Sequence, residues 1–348
     1  RRHAIGARKR TGKKVWEDYP MINLTRRTLI AAATAAAVMG FAGAAAAQGK
    51  IQLRFSAVFS DQDIRAEMMK KFAEAAGADF DYQGYYGGTL FKQGTELVAL
   101  QRGNLEMGNI APQDISNQIP AWSVLTSAYL FRDAAHLQKF FASDAGAEMK
   151  KMVEDQLKVK ILGPTYFGSR QVGLNLDKTI NTPQDMAGIK LRMPGGDAWQ
   201  FLGKALGANP VPMAYAEVYT GLQTGAIDGQ DNPLPNVQNM KFYEVMKQIV
   251  QTSHLVGYDL LTISLDAWNK MSPDQQAKVQ KAADDAIAWS TAQHQKREDD
   301  LATFFKEKGL KIYKPDVDAF RKHAQKMYLE SDLAKDWPAG MVDRINAL

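Results

Sequence analysis

Ile189-Lys-Leu-Arg-Met-Pro-Gly-Gly-Asp-Ala-Trp-Gln-Phe-Leu-Gly-Lys-Ala-Leu206 is the stretch from which the fold is read. Ile189–Met193 is a short, mostly apolar strand. Pro194-Gly195-Gly196 ends it, and a helix over Asp197–Leu206 follows. A strand turning straight into a helix is half of a β-α-β unit. In open α/β sheets, ligands bind outside the carboxyl ends of such strands, and Arg192 stands at that end.

The same alternation continues upstream. Ile51–Ala57 reads as a strand, and Asp61–Ala76 as a helix with Ile64, Met68, Phe72 and Ala75 on one face and Gly77 as its stop. Asp79–Tyr86 reads as the next strand. After Gly87-Gly88, Thr95 is placed to cap a short helix through Arg102, and Gly103 precedes a strand at Leu105–Ile110. This β-α-β-α-β order points to a parallel-rich sheet. Helices fit around Ala134–Glu154, and strands at Val159–Gly163 and Gly168–Leu176.

Downstream, Tyr215–Thr224 reads as a helix ended by Gly225. Ala226-Ile-Asp-Gly-Gln-Asp-Asn-Pro233 is polar and turn-rich, and is placed outside the core. Strands near Leu255–Leu265 precede a helical pattern running from Pro273 toward Lys308. Its apolar positions Val279, Ala282, Ile287, Leu301 and Phe305 drift round the surface, as expected of a helix that bridges two lobes.

The chain has 348 residues, 45% of them hydrophobic, near the size at which one core divides into lobes. Its net charge of +5 would suit an acidic partner, but the excess is local. Arg1, Arg2, Arg8, Lys9, Arg10, Lys13 and Lys14 stand within the first twenty residues, and Arg26 and Arg27 follow. The remainder is slightly acidic, which argues against a nucleic-acid partner. Met21 to Thr28 followed by Leu29–Ala47 has the layout of a cleaved export signal, with Ala45-Ala46-Ala47 as the cleavage site before Gln48. Arg26-Arg27 is compatible with both twin-arginine and general export. Residues 1–20 are expected to be an upstream extension without a fold.

No cysteine is present, and His3, His136, His254, His294 and His323 never reach metal-motif spacing, so no metal or other cofactor is expected. G-x-S-x-G, H-E-x-x-H and G-x-G-x-x-G are missing, and nothing recommends an enzyme. Arg170, Arg192 and Asn232 remain, each in a short Gly-, Pro- and polar-rich segment beside an apolar strand. An arginine's planar fork matches both oxygens of a carboxylate, although a single arginine is most often a solvated surface residue.

Ile189-Lys-Leu-Arg-Met-Pro194, Asn209-Pro-Val-Pro-Met213, Ala216-Glu-Val-Tyr219, Gly221-Leu-Gln-Thr-Gly225 and Ile227-Asp-Gly-Gln-Asp-Asn-Pro233 together resemble the DctP-type binding proteins of TRAP transporters. Gly88-Thr-Leu90, Glu96 and Gly103-Asn-Leu-Glu-Met-Gly108 extend the resemblance over nearly all of the mature chain. It implies a two-lobed periplasmic-binding-protein fold with crossing strands and a long lobe-bridging helix. Lobe I would hold residues 48–167 and 256–297, and lobe II residues 168–255 and 298–348.

By the same resemblance, Arg192 forms the main salt bridge to a ligand carboxylate. Arg170 is a second arginine, Asn232 completes the carboxylate cage, and Tyr215 packs on the ligand. Trp199, near a helix start, is either a stacking platform or core packing. Val58, Gln93 and Ala111–Gln113, with Gln93 and Gln113 as candidate ligand contacts, depart from the sialic-acid branch, which argues against sialic acid itself. The implied function is periplasmic capture of a small carboxylate (a C4-dicarboxylate, a sugar acid, or an aromatic or keto acid) and delivery to a TRAP permease driven by an ion gradient. A binding protein serving a sensor kinase would share every ligand residue; neighbouring permease genes would discriminate. A periplasmic lyase would reveal itself by turnover.

Overall fold

Two strands of unusual length organise the chain. The computed structural model describes residues 49–348; the upstream segment, the export signal and its cleavage site lie outside the described residues. Residues 50–348 are built on one mixed sheet.

β1 (Ile51–Ser56) buries Leu53 and Phe55 by strand alternation. α1 (Ile64–Ala76) starts where the Asp63 carboxylate accepts the Arg65 amide, and Gly77 ends it. Its buried stripe is Ala66, Met68, Met69, Phe72 and Ala76. Ile64 is only half-buried, and Ala75 is exposed because the 68–72–76 spacing leaves it at the stripe's outer edge. β2 (Phe80–Tyr85) pairs parallel with β1. α2 (Glu96–Gln101) is not capped by Thr95, whose hydroxyl donates instead to the Lys92 carbonyl at 2.7 Å. β3 (Met107–Ile110) also runs parallel to β1, so the parallel start is as the sequence suggests.

α3 (Pro112–Ser116), α4 (Ala134–Ala142) and α5 (Asp144–Leu157) lead into β4 (Val159–Leu174). β4 is one strand of 16 residues where two were expected. It pairs antiparallel with the equally continuous β8 (Gln248–Ser264), from Val159 opposite Ser264 to Leu174 opposite Gln248. At about 3.3 Å per residue each spans roughly 50 Å, enough to serve two cores. Register shifts near Gly163, Gly168 and Arg170 let them bend without breaking. Gly168 sits at φ +117°, and a Cβ there would stand 2.7 Å from the Pro233 Cβ.

β5 (Lys190–Met193), α6 (Asp197–Ala205), β6 (Asn209–Pro212), a 3₁₀ turn at Tyr215–Glu217, α7 (Val218–Thr224), β7 (Gly229–Pro233) and α8 (Leu234–Asn239) build the second half. The strand order is β2-β1-β3-β8-β4-β7-β5-β6. β7 corrects the sequence reading: Gly229–Pro233 is a fully buried interior strand between β4 and β5. Its polar side chains are tolerated there because they bond to one another and to charges on neighbouring strands, a compensation that composition does not reveal.

After α9 (Leu265–Trp268), α10 (Pro273–Glu307) runs for 35 residues behind a Ser272/Gln275 capping box. Its first half packs Val279, Ala283 and Ile287 with Leu53 and Phe72; its second half packs Leu301 and Phe305 with Val237 and Phe242. It therefore ties two cores together. β9 (Lys311–Tyr313) adds to β8, and α11 (Val317–Leu329) packs with α6. α12 (Met341–Asn346) places Met341 and Ile345 among Leu137, Phe140 and Met149. The chain end thus packs against α4 and α5, which its apolar stripe fits. Among the described residues no helix is long and apolar enough to cross a membrane.

Candidate functional site

Where the two halves of the sheet meet, a cavity of about 60 Å³ is lined by Val58, Arg65, Gln93, Glu96, Asn109, Asp114, Arg170, Arg192, Trp199, Tyr215, Asn232, Asn236 and Asp259, among others. Wider open grooves exist, one of about 600 Å³ along α1, α8 and α10, but they are lined mainly by surface side chains. The small cavity is distinguished by buried charge.

Arg192, at the carboxyl end of β5, is 1% exposed. Its Nε donates to the Met213 carbonyl at 2.8 Å and an Nη to Gln93 Oε1 at 3.2 Å; the same oxygen accepts the Tyr215 amide at 2.8 Å. No carboxylate pairs with it among the described residues. Burial pulls its pKa down to about 10, against the more distant Asp231, so it remains a cation at neutral pH. An unpaired buried cation is costly in a folded protein, and an anionic ligand would offset that cost.

Arg170 departs from expectation. Its fork is occupied by Asp231: Nε to Oδ2 at 2.6 Å, Nη2 to Oδ1 at 3.0 Å and to the Asp231 carbonyl at 2.6 Å. Pairing of β4 with β7 brings these residues together, so only the remaining Nη1 can meet a ligand. Asp231 is fully buried; burial pushes its carboxyl up, but Arg170 and His254 hold it far below the usual range. Burial lowers the His254 pKa more than Asp231 raises it, leaving a neutral ring. Since the carboxylate can only accept, His254 Nε2–H donates to it (3.1 Å), and Nδ1 accepts the Thr252 hydroxyl (2.8 Å).

Trp199 is buried in the α6 core and also faces the cavity, its ring 4.9 Å from the Arg170 guanidinium carbon. Tyr215 accepts the Asn236 amide at 3.0 Å and packs edge-on against Phe242. Burial pushes its pKa up to about 12. Asn232 lines the wall and donates to Gln230 Oε1 at 2.6 Å. Gln93 bridges the α2 loop to Arg192. The structure thus brings together six of the residues singled out above: Arg170, Arg192, Asn232, Tyr215, Trp199 and Gln93.

Gln113 is the exception. It is buried on α3 with Oε1 lacking a partner, and is not part of the wall. Successive helical residues point about 100° apart, and here Asp114 faces the cavity.

The sequence reading missed the first-half charges. Arg65 lies between the Phe59 and Phe167 rings, 4.2 Å from each centroid, with Nε and Nη2 on Asp63 (3.0 Å each) and Nη1 on Asp259 (2.8 Å). Asn109 donates to Asp259 at 2.6 Å. Burial pushes Asp259 up more than Arg65 pulls it down. Asp259 was findable as the lone charge in the apolar run Val256–Leu265 apart from the chain's own polar turns. Arg65 was not, since Asp63-x-Arg65 reads as an ordinary helix start. Among the described residues, no group of three or more metal-ligating side chains is assembled.

The family described as bacterial extracellular solute-binding protein, family 7 (DctP), matches residues 56–333. The chain is 35% identical over 214 residues to the sialic acid-binding periplasmic protein of Vibrio cholerae, a match covering 62% of this chain and 66% of that protein. It is 27% identical to the C4-dicarboxylate-binding periplasmic protein of the same organism, over 89% of this chain and 95% of the other. A TRAP periplasmic solute-binding protein of Roseobacter denitrificans, solved with bound 3-deoxy-D-manno-oct-2-ulosonic acid, superposes with a TM-score of 0.84 at 45% identity, covering 86% of this chain and 99% of that one.

Proposed function

This chain belongs to family 7 of the bacterial extracellular solute-binding proteins, and from that premise we propose that its cavity captures a small sugar acid by the carboxylate. The observation that carries the proposal is Arg192: buried, cationic and without an acidic partner among the described residues. Members of this family are binding proteins, and the chain is read as non-catalytic. Gln93 and Asn109 on one side, and Arg192, Tyr215 and Asn232 on the other, come from opposite halves of the sheet. A ligand touching both favours the closed arrangement by its differential affinity. Release would feed a TRAP permease driven by an ion gradient.

The acid held by the 45%-identical relative makes an eight-carbon keto sugar acid the first ligand to test. A thermal-shift screen with that acid, galacturonate, succinate and sialic acid should stabilise the protein most with one of the sugar acids. Saturation at a hundred times Kd adds about 2.7 kcal/mol. No shift with any carboxylate would remove this reading.

The protein is proposed to work in the periplasm after cleavage behind Ala47, on the basis of the basic, apolar and small-residue order of Met21–Ala47. Sequencing the periplasmic form should find Gln48 first; retention of Met21 would overturn the cleavage.

A further inference from the structure

Three guanidinium groups line the cavity, and their partners differ. Arg65 is matched by Asp63 and Asp259, and Arg170 by Asp231. Among the described residues Arg192 hydrogen-bonds to the Met213 carbonyl and Gln93, with no acid beside it. Among the described residues, one buried cation in this wall awaits an anion. One ligand carboxylate satisfies it; a second would leave water with no cation to receive it, at a large desolvation cost.

The first-half wall also carries acid. Glu96 is buried at the start of α2, and Asp114 is half-buried on α3. Asp114 faces Asp259 on β8 and acts on Glu96; Asp259 in turn faces Arg65 on α1, Asn109 on β3 and, more distantly, Arg170 on β4. Burial raises Glu96 to about 8, helped by Asp114 and opposed by the amides of its own turn, and raises Asp114 to about 7. Independently, Asn236 is 4% exposed and lines the cavity with Oδ1 lacking any donor. A ligand hydroxyl brings a proton to such groups. A second carboxylate donates nothing to Asn236 Oδ1, and it meets like charge wherever Glu96 or Asp114 is ionised.

The geometry points to a specificity filter: Arg192 takes one carboxylate while Glu96, Asp114 and Asn236 take hydroxyls, so the site accepts a polyhydroxylated monocarboxylate and rejects the dicarboxylate of the same carbon skeleton. This rests on the capture by Arg192 proposed above. Matched sets test it: D-gluconate, D-glucarate and D-glucitol, and the corresponding galacto and manno sets, titrated calorimetrically into the wild-type protein at neutral pH. At least one aldonate should bind, and its aldarate should bind about a hundredfold more weakly. An aldarate within about tenfold of its aldonate, or binding where no aldonate does, overturns the filter and leaves carboxylate capture standing. An alditol as tight as its aldonate overturns capture itself. No binding by any aldonate at millimolar concentration overturns the filter as well. In the Glu96→Gln/Asp114→Asn double variant, compared with wild type at about pH 9, where both carboxyls are ionised, the aldonate-to-aldarate ratio should narrow about tenfold; an unchanged ratio removes these two carboxyls from the filter.

Discussion

Arg192→Ala should weaken binding of the best sugar acid by about a hundredfold to several thousandfold. Truncation leaves the ligand carboxylate buried without its main partner, which costs about 3–5 kcal/mol, and each 1.4 kcal/mol is about a decade in affinity. The ligand-free protein should lose little stability, because the substitution removes a buried cation that has no acid beside it. Arg192→Lys should also bind poorly, since an ammonium cannot present two parallel donors while holding the Met213 carbonyl and Gln93. Calorimetric titration of the three proteins decides the point. Affinities within a factor of about three would make Arg192 a structural arginine and place the ligand elsewhere.

Asp231→Asn should cost the folded protein about 3–5 kcal/mol, because it leaves the buried Arg170 without its counter-ion. Denaturant unfolding measures this, and a loss below about 1 kcal/mol would show that water or another group already compensates Arg170. Arg170→Met combined with Asp231→Leu should recover most of the loss, since removing both charges removes the unpaired one. The pH dependence has a definite sign. Asp231 titrates lower in the folded protein than in the unfolded chain, so its contribution is complete above the unfolded value of about 4 and lost as pH falls further. The gap between wild type and Asp231→Asn should therefore close in acid. A gap that widened below about pH 4 would contradict the Arg170–Asp231 assignment.

Much of the site was legible along the chain, but unevenly. Arg192 could be singled out because a strand ending in Pro194-Gly195-Gly196 marks a sheet edge, and it lies at that edge in the cavity wall. Asn232 was found only through its motif, while the segment holding it was misplaced outside the core. Gly229–Pro233 has no apolar periodicity, and its burial depends on Arg170, Gln171 and His254, which stand on other strands. Gln113 lies off the cavity wall because helical phase, and not position in the sequence, turns Asp114 toward it. Arg65 was invisible because its role follows from two aromatic rings that close round it, Phe59 nearby and Phe167 on β4.

By itself the sequence determined the β-α alternation, the strand-end place of Arg192 and the long α10. These depend on periodicity, turn residues and caps acting over a few neighbouring residues. Only the tertiary structure decided which arginine is left without an acidic partner. Arg170 and Arg192 look alike locally, each beside glycines and an apolar strand. Arg170 is neutralised by a carboxylate 61 residues away, because β4 and β7 pair with Gln171 opposite Asn232. Among the described residues no strand brings an acid to Arg192. Charge compensation acts through space and is set by strand register, and no local pattern of residues encodes it.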